Sequence, residues 1–204
     1  MGMELEFKLA VPSPVMLENI LFDSDIAAVR RGNYSLLNMA TVYYDTPDHR
    51  FSQRRWTLRL RQENEAMIVT LKTPAEGRAR GEWAVPAYSV QTALPQLVEQ
   101  GAPAELMELV EGQAILPVCA AEFTRRAVDV AFADGTVCEL CGDIGVLVGG
   151  GKEEPLCEIE IELKEGDAET AEAFAGELMD RFNLQEEPRS KFARASALAK
   201  ENCR

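Results

Sequence analysis

The sequence predicts an α+β fold in which antiparallel strands alternate with amphipathic helices. Three observations carry that expectation: short segments alternating apolar and charged residues at period two, helix starts marked by caps and proline, and turn signals between them. The chain has 204 residues, 34 acidic and 21 basic, a formal charge of −13, 47% apolar and 27% charged residues. That is globular composition, and the length suits one domain over residues 1–204. No apolar stretch approaches the roughly 20 residues of a membrane helix. The start, Met1-Gly2-Met3-Glu4, lacks the basic and apolar regions of a signal peptide. The expectation is a cytoplasmic protein with no membrane partner. The negative charge argues against a nucleic-acid partner, which would show a basic face, and leaves room for a small anion in a local basic site. A homodimer stays open.

Taken in order, Glu4-Leu5-Glu6-Phe7-Lys8-Leu9 puts its apolar residues on one face and Glu4, Glu6 and Lys8 on the other. Ser13-Pro14 reads as a cap with proline in the first helical turn, leading into Met16–Phe22. Asp45-Thr46-Pro47-Asp48 is a turn. Thr57–Arg61 and Ile68–Lys72 alternate again, with Arg59, Arg61 and Lys72 on their charged faces, and Arg78, Arg80 and Glu82 share a parity before Trp83. Gln91–Gln100 and Ala104–Glu111 are helical, parted by Gly101 and Pro103. Ala133-Asp134-Gly135 and Gly149-Gly150-Gly151 are turns. Glu158–Leu163 alternates with three carboxylates, Glu158, Glu160 and Glu162. Asp167 caps a helix running to Phe182, and a last helix covers Arg189–Lys200. The five cysteines read as reduced thiols; Cys138 and Cys141 have C-x-x-C spacing, but no second pair completes a zinc set.

A charged strand face is ordinarily a solvated one. Here the faces are almost purely ionic and the signs are grouped: Glu–Glu, Arg–Arg, Glu–Glu–Glu. Like charges two apart on a strand stand about 6–7 Å from each other, so something of opposite charge should lie beyond them. Carboxylates from two strands could hold Mg²⁺ or Mn²⁺, which prefer hard oxygen ligands. Arginine and lysine from other strands could hold phosphate oxygens. A sheet closed with its ionic faces inward would bring both sets around one wet channel.

The same residues carry a family resemblance. Glu4-Leu5-Glu6-Phe7-Lys8 is similar to the E-x-E-x-K motif of CYTH-domain proteins, the triphosphate tunnel metalloenzymes. In order follow Tyr43-Tyr44-Asp45-Thr46-Pro47, Leu58-Arg59-Leu60-Arg61, Thr70-Leu71-Lys72, Arg80-Gly81-Glu82, Phe123-Thr124-Arg125, Asp143, Glu158-Ile159-Glu160-Ile161-Glu162 and Ser190-Lys191. The match runs over about residues 3–200 and is nearest to the bacterial inorganic triphosphatases. The resemblance implies an eight-stranded antiparallel β-barrel, a tunnel with a charged interior flanked by helices. It implies a hydrolase acting on a small-molecule triphosphate with Mg²⁺ or Mn²⁺.

Within that resemblance, Glu4, Glu6, Asp143, Glu158, Glu160 and Glu162 are the candidate metal ligands. Arg59, Arg61, Lys72, Arg80, Arg125 and Lys191 are the candidate substrate clamp. Glu4, Glu6, Lys8 and Lys72 are the candidate catalytic set. Parity selects Arg125 over Arg126, which shares a face with Val128, Val130 and Phe132. The alternatives are a class IV-type adenylate cyclase, a thiamine triphosphatase, and a polyphosphate-binding module without turnover.

Overall fold

The computed structural model describes residues 2–74 and 80–200, and the side chains of residues 5–74 and 81–200. Strand β1 (Gly2–Glu4) and β2 (Glu6–Ala10) are followed by helices α1 (Pro14–Leu21) and α2 (Ser24–Val29). Then come β3 (Arg30–Asp45), α3 (Arg50–Gln53), β4 (Thr57–Glu63), β5 (Ala66–Pro74), β6 (Arg80–Pro86), α4 (Val90–Glu99) and α5 (Glu105–Val110). The second half is β7 (Leu116–Ala131), β8 (Val137–Gly149), β9 (Lys152–Glu165), α6 (Ala168–Phe182), β10 (Gln185–Glu186) and α7 (Lys191–Lys200). The helix expected from Ser13 is capped as anticipated: the Ser13 hydroxyl accepts from the Met16 N–H at 3.2 Å. Asp167 precedes α6 but makes no side-chain cap bond. The short helices α2 and α3 escaped the periodicity, because one or two turns give it too little to work on.

All strands pair antiparallel in the order β1-β6-β5-β4-β3-β7-β8-β9-β2-β10. The two ends of this order meet on one N-terminal strand. Its first segment pairs with β6 and its second with β9. The sheet therefore curls round and is joined through the chain at Leu5, where the ladder is interrupted. Among the described residues, counting β1 and β2 as one strand and setting aside the two-residue β10 yields the eight strands expected of the tunnel.

Apolar burial lies mostly outside the curl. Leu17, Ile20, Phe174 and Leu178 from α1 and α6 pack on Phe7, Leu9, Ile159 and Ile161, the apolar parity of β2 and β9. Leu94, Leu97 and Leu106 from α4 and α5 cover Leu58, Val69 and Leu71. With those faces turned outward onto helices, the alternate residues must point inward. The third cluster is different. Tyr43, Phe123, Leu147 and Leu156 are joined by Ala195 and Phe192 of α7, so α7 packs against the strands that carry the ionic residues.

Gly149 permits that approach: a Cβ there would stand 2.0 Å from the Ala195 carbonyl oxygen. Gly149→Ala is expected to lose about 1–3 kcal/mol by overpacking, a fall of roughly 2–12 °C in the melting temperature. An unchanged melt would mean that α7 is not seated so closely. Cys138 and Cys141 stand three apart on β8 and so face opposite sides of the sheet, Cys138 within the outer core.

Candidate functional site

Inside the curl is a cavity of about 950 Å³, near the upper end of the ~300–1,000 Å³ usual for small-molecule sites. Glu6 and Lys8 reach it from β2, Arg59, Arg61 and Glu63 from β4, Lys72 from β5, and Glu82 from β6. Arg125 comes from β7, Glu139 from β8, Glu160, Glu162 and Lys164 from β9, and Lys191 from α7. Basic and acidic side chains line it in equal number, whereas the whole chain carries −13. The surplus acid is therefore elsewhere, and the cavity is a charge-balanced region of an acidic protein.

The basic wall is β4 with its neighbours. Arg61 is buried; its Nε donates to Thr41 Oγ1 at 2.9 Å and its carboxylate partner Glu63 stands 3.7 Å away. Burial, and then the adjacent positive charge of Arg59, bring its pKa down to about 10. Arg59 meets Glu82 at 3.7 Å, but its buried Nε has no hydrogen-bond partner. Lys72 also faces Glu82, at 3.1 Å. A buried donor without an acceptor, beside a guanidinium crowded by its own kind, is a site short of negative charge.

At the foot of α7 lies an ion-pair hub. The Lys191 ammonium, 5% exposed, is 2.7 Å from both Asp143 and Glu160 and also bonds Glu158. Arg125 holds Asp143 through two bonds of 2.8 Å and pairs with Glu160 as well. Arg194 binds the other Glu158 oxygen at 2.8 Å and Glu154 at 2.7 Å. Burial raises the Glu158 carboxyl to about 7, with Lys191 pulling in the opposite direction. Burial also opposes ionisation of Glu160, but Lys191, Arg125 and Lys8 outweigh it and hold its pKa well below the ordinary value. Asp143, Glu158 and Glu160 present oxygens within 4.8 Å of one another, yet the point they converge on is the Lys191 ammonium.

A second carboxylate group lies toward the other end. Register pairs Glu6 with Glu162 and Glu162 with Glu139, so three carboxylates cross β2, β9 and β8 in one row. Lys8 stands 3.0 Å from Glu6, and Lys164 3.1 Å from Glu162 and 3.7 Å from Glu139. Hard, half-exposed oxygens in like-charged neighbours are what a small divalent cation seeks. This rim fits such an ion better than the hub, where a ligand must displace a buried ammonium.

The sequence-derived set is thus divided. Glu6, Lys8, Arg59, Arg61, Lys72, Arg125, Glu160, Glu162 and Lys191 line the cavity, while Asp143 and Glu158 are fully buried behind its wall. Glu4 pairs with Arg80 in register; both of their side chains lie outside the described residues, as does Arg78. Arg126 points away, to Glu18 at 3.5 Å. Tyr43 packs on Phe192, ring centroids 5.3 Å apart, and Tyr44 on the α4–α5 core. The Tyr43–Pro47 motif is architectural. Asp45 accepts from the N–H groups of Thr46, Phe51 and Ser52 at 2.8, 3.0 and 3.1 Å, and so shapes the corner leading into β4. Sequence reasoning left Glu139, Lys164 and Arg194 out of the site. The first two were within reach, since Glu139 shares parity with Asp143 and Lys164 with Glu162; Arg194 needed the docking of α7.

The chain matches the family model described as CYTH domain over residues 2–196. An inorganic triphosphatase of Haemophilus influenzae is 28% identical over 170 residues, 81% of this chain and 46% of that protein. The chain thus spans about half the length of that curated relative. Among solved structures, a Hippeastrum protein described as a candidate adenylyl cyclase with a dominant triphosphatase activity covers 97% of each chain, with a TM-score of 0.62 and 15% identity. A candidate adenylate cyclase from Bacillus halodurans covers 93% of this chain and 96% of its own, with a TM-score of 0.57 and 18% identity. At those identities the likeness is one of fold.

Proposed function

The chain belongs to the CYTH-domain family, and from that premise we propose that its cavity hydrolyses inorganic triphosphate with Mg²⁺ or Mn²⁺. The observation that carries this reading is the anion-deficient wall: Arg59 with an unsatisfied buried Nε, beside Arg61 whose charge is crowded by burial and by Arg59 itself. A chain of phosphate oxygens supplies the missing acceptors along β4 and β5. Arg59, Arg61 and Lys72 grip it, and Arg125 closes the row while staying fixed by Asp143. Glu6, Glu162 and Glu139 would hold the cation. When bound, that cation supplies charge neutralisation at the phosphate oxygens.

Water attacks the terminal phosphorus in line. Its oxygen forms the new P–O bond, the bridging P–O bond breaks, and phosphate and diphosphate leave. A cavity carboxylate takes the proton of the attacking water. The likeness to an inorganic triphosphatase favours the inorganic substrate over a nucleotide or thiamine compound; of the aromatics lining the cavity, Tyr43 packs on Phe192 and Trp56 on the α4–α5 core.

The test is phosphate release from triphosphate, ATP and thiamine triphosphate, each with Mg²⁺, Mn²⁺ or EDTA. We expect release from triphosphate with metal and none with EDTA. Triphosphate binding without release would move the assignment to a polyphosphate-binding module, and cyclic AMP from ATP would move it to a cyclase. Arg59→Ala should raise KM for triphosphate roughly 10–100-fold, about 1.5–3 kcal/mol for one charged hydrogen bond, with a smaller change in kcat. Steady-state kinetics at saturating metal decides it; a KM within about twofold of wild type removes Arg59 from the clamp.

A further inference from the structure

Four lysines face carboxylates in this cavity, and two of them, Lys191 and Lys164, are held very differently. Lys191 is 5% exposed and enclosed by Asp143, Glu158 and Glu160. Lys164 is 40% exposed, hydrogen-bonds Glu162 at 3.1 Å and stands 3.7 Å from Glu139. Its position on β9 continues the parity of Glu158, Glu160 and Glu162, which places it at the outer end of the ionic row. The row it serves contains two like-charged cross-strand pairs, Glu6–Glu162 and Glu162–Glu139, an arrangement that is destabilising without a cation.

We propose that Lys164 is the displaceable internal counter-ion of the acidic rim, occupying the Glu139–Glu162 pair until a divalent cation takes its place. This rests on the reading of the rim as the cation site. A lysine ammonium is a compact charge on a flexible stem, and one that is well exposed can swing into solvent or onto an incoming phosphate without leaving a buried charge unpaired. Lys191 cannot do so, because its departure would leave three buried carboxylates with chiefly Arg125 and Arg194 to answer them. Lys164 therefore sets metal affinity below what the rim carboxylates would give by themselves. It also makes metal entry an exchange of one cation for another, in which the rim is never left bare.

The experiment is a Mn²⁺ titration of the whole chain without substrate, following free Mn²⁺ by electron paramagnetic resonance at constant ionic strength. Lys164→Gln and Lys164→Ser are expected to bind Mn²⁺ roughly 3–10-fold more tightly than wild type, the removal of two weak competing pairs. Lys164→Arg keeps the charge and should stay within about twofold of wild type. Lys200→Gln makes the same change in net charge far away, where salt screens it, and should also stay within about twofold. Detectable binding in Lys164→Gln with none in wild type supports the proposal too. If wild type binds Mn²⁺ and both uncharged variants bind it equally or less tightly, the counter-ion role is overturned while the rim survives as the metal site. If no variant and no wild type binds, the rim assignment fails and this proposal fails with it.

Discussion

Lys191→Met is expected to destabilise the fold by about 3–5 kcal/mol, the usual cost of removing one partner from a buried ion pair. For a chain of this length that corresponds to a melting temperature lower by roughly 6–20 °C. The ammonium bonds Asp143, Glu158 and Glu160 at once, and methionine fills its volume without answering any of them. The loss should also depend on pH, with a definite sign. Glu158 already sits at about 7, raised by burial from the usual 4.5 although Lys191 pulls it down; without Lys191 it rises further. A carboxyl whose folded pKa exceeds its unfolded one binds more protons when folded, so stability falls as pH rises through that window and returns as pH drops. Melts at pH 8 and pH 5.5 should show the variant recovering stability on the acid side relative to wild type. A variant melting within about 2 °C of wild type at pH 8 would show that the hub does not hold α7.

Glu6→Gln is expected to leave the fold nearly intact and to remove most of the activity. The carboxylate is part of the rim, with Lys8 at 3.0 Å as its partner, and Lys8 keeps Glu160 at 3.8 Å in the variant, so the loss of stability should stay at about 1–2 kcal/mol. In the proposed function its larger role is as one of the oxygens that would hold a divalent cation. Several kcal/mol of charge neutralisation in the transition state would go with it, and at 1.36 kcal/mol per tenfold this is roughly a 10²–10⁴-fold loss in kcat/KM for triphosphate. Mn²⁺ affinity should fall in the same variant, while circular dichroism and the melt stay close to wild type. Glu162→Gln should behave alike, since register sets it directly opposite Glu6. Wild-type turnover in both variants would remove the rim from the chemistry and return attention to the hub.

The two results together separate roles that the linear pattern merges. Glu158, Glu160 and Glu162 are indistinguishable in the sequence: three glutamates of one parity on one strand. In the folded chain Glu158 is fully buried under Arg194 and Lys191, Glu160 is shared between the hub and the cavity, and Glu162 stands at the rim. The difference comes from α7, which lies close against this sheet only because Gly149 has no side chain. No local feature of residues 158–162 encodes where a helix some thirty residues later will dock.

Period-two alternation was enough to determine which residues of each strand are ionic and which are apolar. Side chains on a strand must alternate between faces, and apolar ones must leave water. That argument already grouped Arg59 with Arg61, Glu6 with Lys8, and Arg125 away from Arg126. Inward or outward was a harder matter. It turned on α1, α6, α4 and α5 covering the apolar parity from outside, so that the ionic parity had to face the lumen. Which cations neutralise which carboxylates was decided by tertiary structure alone. Ion pairing falls off over a few ångströms, and the partners of Glu158 and Glu160 are brought to that distance by register and helix docking, across gaps of more than thirty residues in the chain.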